Sequence, residues 1–231
     1  MKTNFLVGLL NYTLFVSLVF HACVVAQEKP SHLTFSYVDH PLVKNDFIPI
    51  VERAYSELGI QLELQMYPTH RNLTAVQSEE VDGDIAFSEL GLMGYDALVK
   101  IQPSMGSVNF VLLCLPAVVC NEEVLFDDNN VIVVSDKLLS SLQLFYSKPL
   151  KSSFYKLNNL ATIANLVVEK RFQYGVYILG GAQTLSPEMQ RFKVVELFEV
   201  QTHHTIHQKY AFMQDEISAA LQRSLDKAKS N

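Results

Sequence analysis

LTFSYVDHPLVKNDFIPIVERAYSELGIQLELQM, residues 33–66, carries two strand patterns around one helix pattern. Leu33 to Val38 alternates apolar and polar side chains, as a half-buried strand does. Asn45 then offers an N-cap; Phe47, Val51, Ala54, Tyr55 and Leu58 recur at helical spacing, and Gly59 supplies the stop. Pro49 falls in the first turn, where its missing N–H is tolerated. Leu62, Leu64 and Met66 alternate again, and Pro68 ends the second strand.

Further along, His70 to Glu80 reads as a short helix and Asp84 to Phe87 as a third strand, which completes a parallel α/β pattern. Val108 to Cys120 contains no charge, and a polar cluster at 121–123 and 127–130 marks a change of region. Val131 to Val134 restarts the alternation. Ala161 to Phe172 places Ile163, Leu166 and Val167 on one helical face, with Asn158 and Asn159 as caps, and Tyr174 to Leu179 reads as a buried strand. After a strand at Val194 to Val200, a last helix is predicted from about Thr202, with Ile206, Tyr210, Met213, Ile217, Leu221 and Leu225 on one stripe. The expected architecture is α/β with two lobes, 27–115 plus 194–231 and 116–193. A cleft between lobes is where a small ligand binds.

The beginning of the chain reads differently. Lys2 precedes an uncharged stretch from Phe5 to Ala26, closed by Val24-Val25-Ala26, which predicts a signal peptide over 1–26 cleaved before Gln27. A retained anchor is the bland alternative, since the stretch has about the ~20 residues a bilayer needs. Acylation at Cys23 is a third, with Phe20-His21-Ala22 a poor match to the usual preceding residues. Cleavage leaves 205 residues with 17 basic against 24 acidic side chains, a net charge of −7. With no basic run, phosphate backbones are repelled and nucleic acid is excluded as a partner. In the oxidising compartment that export implies, Cys114 and Cys120 form a disulfide or stay as two buried thiols. On one extended strand they lie too far apart to bond, and Pro116 between them offers a turn, so both readings stay open.

Four segments resemble the bacterial extracellular solute-binding proteins of family 3, which have the type II periplasmic-binding-protein fold. They are Leu33 to Asp39, Ala54 to Ile60, His70 to Asp84, and His207 to Met213. In relatives, an Arg or aromatic residue opens a helix that ends in Gly-Glu-Val-Asp-Gly; here Ser78-Glu79 replaces the glycine-containing step. The family's Thr-x-x-Arg after the third strand and its Gly-rich start of the second lobe are absent. Arg171-Phe172-Gln173-Tyr174 stands where relatives have Gly-Arg-x-Asp, so amino-acid specificity is not implied. The resemblance implies a monomeric periplasmic protein that hands a small polar solute to an inner-membrane transporter of the ABC type or to a receptor. A ligand-sensing or interaction subunit of a signalling protein on the same scaffold is the alternative.

Arg71, at the start of a helix above the cleft, offers a fork for a ligand carboxylate, against the plain reading of a solvated Arg paired with Glu79 or Glu80. Tyr37 and Asp39 after the first strand, and Ser88 and Glu89 after the third, lie where open α/β sheets collect ligands. His203, His204 and His207 have helical metal-ligand spacing but no fourth ligand, so no metal and no cofactor is expected. Asp82 and Asp84 around Gly83 read as a turn feeding a strand. Ser153 to Lys156 and Ser224 to Lys227 match Ser-x-x-Lys by chance, without the companion Lys-Thr-Gly, and no other catalytic motif is present. An enzyme is not expected.

Overall fold

The computed structural model describes residues 27–180 and 189–230, so the predicted signal segment lies outside the described residues. Nine strands among them form one mixed sheet: β1 (His32–Tyr37), β2 (Gln61–Met66), β3 (Gly83–Ser88), β4 (Leu98–Lys100), β5 (Gly106–Cys114), β6 (Val131–Ser135), β7 (Ser153–Leu157), β8 (Tyr174–Gly180) and β9 (Lys193–His207). The order is β2-β1-β3-β9-β5-β8-β6-β7, with β4 also on β9. Five α-helices accompany it: α1 (Ile48–Glu57), α2 (Asn72–Gln77), α3 (Asp136–Phe145), α4 (Leu160–Val168) and α5 (Gln214–Lys229).

The sheet has two parallel ends joined by an antiparallel centre. β1 pairs in parallel with β2 and β3 at one end, and β6 with β7 and β8 at the other. Between them runs the fifteen-residue β9. Its first part, Lys193 to Thr202, pairs with β5, and its last part, Thr202 to His207, lies between β3 and β4. β5 in turn pairs with β8. The two lobes therefore share β5 and β9, and the cleft opens where these strands pass from one lobe to the other.

The last helix packs on the first. α5 buries Ile217, Ala220, Leu221 and Leu225 on α1, which buries Ile50, Val51, Ala54 and Tyr55. Ser224 ties the pair, accepting from Arg53 Nε at 2.9 Å and donating to the Ile50 carbonyl at 2.7 Å. Tyr55 and Phe35 are fully buried and meet edge-on at 4.9 Å, each removing enough apolar surface to stabilise by ~1.5–3 kcal/mol.

Asp82-Gly83-Asp84 is a structural junction. Asp82 accepts from the Thr34 amide at 2.9 Å and from Tyr210 Oη at 2.7 Å, which pins the start of β3 to β1 and to the turn before α5. A Cβ on Gly83 would stand 2.4 Å from the Thr205 carbonyl oxygen, so only glycine lets β9 approach here.

The predicted last helix begins late. Thr202 to His207 is strand, buried throughout, followed by a 3₁₀ turn at Gln208–Met213, and the helix starts at Gln214. The cysteine question is answered by the end of β5. Leu115 to Val118 form a turn that brings Cys120 back to Cys114, with a disulfide and Cα atoms 5.9 Å apart.

Candidate functional site

Each parallel β-strand end delivers the chain into the cleft. β1 runs on to Val38 and His40, and β3 ends at Ala86 and Ser88. From the other lobe, β6 hands over to α3 at Ser135, whose side chain caps the helix by accepting from the Leu138 amide at 3.3 Å. Lys137, Leu138 and Ser141 on that first part of α3, with Leu160 of α4, form the opposite wall. Val108 of β5, Ile178 of β8 and Thr202 of β9 form the floor, where the shared strands cross. The cavity between these walls measures about 60 Å³.

The lobes touch across it. Thr69 donates to the Asn158 carbonyl, Lys137 Nζ meets Tyr95 Oη and lies 4.4 Å from the centre of its ring, and His40 packs on Tyr177 with ring centres 5.1 Å apart.

His40 is 3% exposed, and burial lowers its pKa to about 4, with the nearby Ile178 carbonyl and Asp39 pulling the other way and Lys44 adding to the lowering. The ring is therefore neutral at physiological pH. Its Nδ1 accepts from the Leu42 amide at 3.3 Å, which leaves the proton on Nε2, and that N–H is directed at the Ile178 carbonyl in a loose hydrogen bond. Thr202 Oγ1 is buried without a partner. Both residues line the cavity.

The residues singled out in sequence separate. Ser88 lines the cavity, its hydroxyl accepting from the Gly91 amide at 3.3 Å. Asp39 lines a second, more open pocket of about 140 Å³ at the mouth, with Tyr67, Thr69 and Asn158, and is ion-paired to Lys44 at 2.5 Å. Tyr37 points to the other side of β1 from Val38 and His40 and packs against the core. Arg71 lies exposed before α2, 3.3 Å from Glu80 and 5.7 Å from the Tyr67 ring, and is not among the cavity residues. Glu89 is 3.8 Å from Lys100, below β3.

The three histidines do not converge. They lie on a strand, where neighbours face opposite sides. His203 Nδ1 donates to the Ile101 carbonyl; His204 Nδ1 donates to the Ile85 carbonyl while its Nε2 accepts from Tyr55 Oη at 2.8 Å; and His207 Nδ1 accepts from the Lys209 amide. No group among the described residues is arranged to hold a metal ion. Ser153 and Lys156 sit on the edge strand β7, with Lys156 paired to Asp136 at 3.1 Å.

Sequence reasoning passed over His40, Lys137 and Thr202. The signal for Lys137 was present: Ser135-Asp136 directly after an apolar strand is a helix N-cap. The strand-end rule that selected Ser88 then selects Lys137 as well.

No family model matches the sequence, and no curated protein matches it. Solved structures do. The arginine-bound form of truncated ArgBP from T. maritima superposes with a TM-score of 0.68 at 10% identity, covering 84% of this chain and 96% of that one. The substrate-binding protein of an amino acid ABC transporter gives 0.67 at 13% identity, over 85% and 96%. An ancestral amino acid-binding protein described as a precursor of cyclohexadienyl dehydratase, AncCDT-1, gives 0.63 at 12%, over 85% and 93%. The chain has the type II periplasmic-binding-protein fold.

Proposed function

We propose that the protein is an exported solute-binding protein whose lobes close on a small molecule in the cleft, the closed form then engaging a membrane transporter or receptor. The observation that carries this reading is a cavity that spans both lobes, lined by the Lys137 side chain and by Thr202, whose Oγ1 is buried without a partner. An unsatisfied buried polar group costs ~1–3 kcal/mol, and a ligand that bonds to it recovers that cost. Ser88 and Ser135, two of the three serines that line the cavity, each accept from a backbone amide and cap the turn that follows. The likeness to proteins named for arginine and amino-acid binding supports capture of a small solute. Among the described residues no helix is long and apolar enough to cross a membrane, and export rests on residues 1–26.

The test is a thermal-shift screen of small metabolites on the exported protein, followed by small-angle scattering on each hit. A ligand at a hundredfold excess over its Kd stabilises by ~2.7 kcal/mol, a rise of roughly 5–10 °C for a chain of this size. Compaction on binding is expected. A screen in which nothing shifts the melting curve or the scattering ends the proposal.

A further inference from the structure

We infer that the cleft takes a compact monocarboxylate with an apolar body and no ammonium group, rather than an α-amino acid. The inference rests on the solute-binding reading and names the class of solute.

A zwitterionic amino acid needs an anion for its ammonium, because an unpaired charge taken out of water is penalised heavily. Among the described residues, no Asp or Glu lines the cavity. The three carboxylates adjacent in sequence to its walls are engaged elsewhere, Asp39 with Lys44 at the mouth, Glu89 with Lys100 and Asp136 with Lys156.

The charge that does line the cavity is positive. Lys137 contacts only the neutral Tyr95, through the hydroxyl and the ring face, and no carboxylate pairs with it among the described residues. Asp136 beside it in sequence is taken by Lys156. An ammonium has three donors, and one bond to Tyr95 Oη leaves two for a ligand.

The remaining polar groups of the wall carry no charge: the hydroxyls of Thr69, Ser88, Ser135, Ser141 and Thr202, and the neutral His40 ring. Thr202 presents a hydroxyl with no partner, which can donate to a carboxylate, while the His40 Nε2–H is shared with the Ile178 carbonyl. The Lys137 ammonium and the Thr202 hydroxyl, beside apolar groups that include Val43, Phe47 and Leu138, match one acceptor-rich group on a hydrocarbon body. Neutral His40 rather than a second cation, with Lys137 as the single charge, matches one negative charge.

Nine compounds on three carbon skeletons test this by calorimetric titration of the exported protein: propanoate, 3-methylbutanoate and 4-methylpentanoate, their primary amides, and L-alanine, L-valine and L-leucine. At least one acid is expected to bind, with its amide and its amino acid each at least tenfold weaker. Lys137→Met is expected to bring that acid down to the affinity of its amide, and Lys137→Arg to keep the acid within a few-fold of the parent; circular dichroism verifies that both variants are folded. Amino acids binding as well as the matched acids would overturn the ligand class and leave solute capture standing. So would an acid bound equally by Lys137→Met. If none of the nine binds while another metabolite compacts the lobes, the class is likewise wrong. If none of the nine binds and no metabolite compacts the lobes, the solute-binding reading fails with it.

Discussion

Thr69 donates twice to one acceptor on the other lobe: its amide and its hydroxyl both reach the Asn158 carbonyl, each at 3.3 Å. Thr69 is 4% exposed, so this contact is sealed from water when the lobes meet. Removing the hydroxyl should cost the closed form about 0.5–1.5 kcal/mol, roughly a two- to tenfold change in the ratio of open to closed.

Thr69→Val should therefore accelerate amide exchange at cleft positions such as the Leu138 amide by about that factor, since exchange reports even a small open population. Thr69→Ser, which keeps the hydroxyl, should exchange as the parent does. Equal rates in all three would mean that this contact does not govern closure.

The disulfide gives a second prediction. Cys114 and Cys120 close a short loop, and the chain-entropy account assigns such a loop about 2 kcal/mol. Reduction should lower Tm by roughly 4–8 °C for a chain of this size. In the unreduced, denatured protein from Gln27 onward, neither thiol should react with an alkylating reagent. Two alkylations per chain would show that the bond is absent.

Asp84 supplies a pH dependence. It accepts from Ser36 Oγ at 2.8 Å, Asn72 Nδ2 at 2.9 Å and the Ala86 amide at 3.1 Å, all of which favour the carboxylate. Burial outweighs them and raises its pKa from 3.8 to about 7. The folded state thus holds the proton more tightly than the unfolded chain. Stability from this group is fully present below about pH 4 and is lost as pH rises through 7. His40 and His204, both lowered by burial to about 4, act in the opposite sense: their contribution is present above 6.5 and is lost as pH falls toward 4. Comparison with Asp84→Asn separates the two trends. The stability of the parent minus that of the variant, from urea unfolding, should fall between pH 4 and pH 8 by up to about 4 kcal/mol. A difference independent of pH would mean that Asp84 is ionised throughout.

Much of this fold is legible where one face of an element is wet. β1 and α1 show their periods because Leu33 and Phe35, or Val51, Ala54 and Tyr55, are buried apolar residues whose neighbours, Thr34 and Ser36 or Glu52 and Ser56, are polar. β9 loses its period at Thr202, where β3 and β4 flank it and every residue to His207 is buried. Ile206 then falls by coincidence on the stripe of the helix beyond, although Thr202, Thr205 and Ile206 are the β-branched residues a strand favours. The cavity wall takes residues from strand ends, with the opposite parity on β1 from the residues singled out in sequence. Val38 and His40 face the cleft, so Tyr37, on the alternate face, turns away. Which face of β1 looks into the cleft depends on how the second lobe docks, and local sequence does not encode that.

Glu79 gives the last prediction, and it joins a departure in sequence to a backbone angle. It stands at the step where the resembling family has a glycine before Glu-Val-Asp-Gly, and its φ is +61°. The chain turns here from α2 toward β3, with the Glu80 and Val81 amides both bonded to the Ala75 carbonyl, so the turn is kept although the glycine is gone. A side chain in this left-handed conformation costs roughly 1–2 kcal/mol, part of which is offset because glycine has more freedom to lose on folding. The Glu79 side chain recovers little, since it is 57% exposed where it meets Lys209 at 3.4 Å. Glu79→Gly should then stabilise the protein by about 0.5–1 kcal/mol, a rise in Tm of roughly 1–4 °C. Glu79→Ala loses the same ion pair but keeps the Cβ, and should not share the gain. Equal melting temperatures for the two variants would place the effect in the ion pair, and a fall in Glu79→Gly alone would mean that the left-handed turn is not strained.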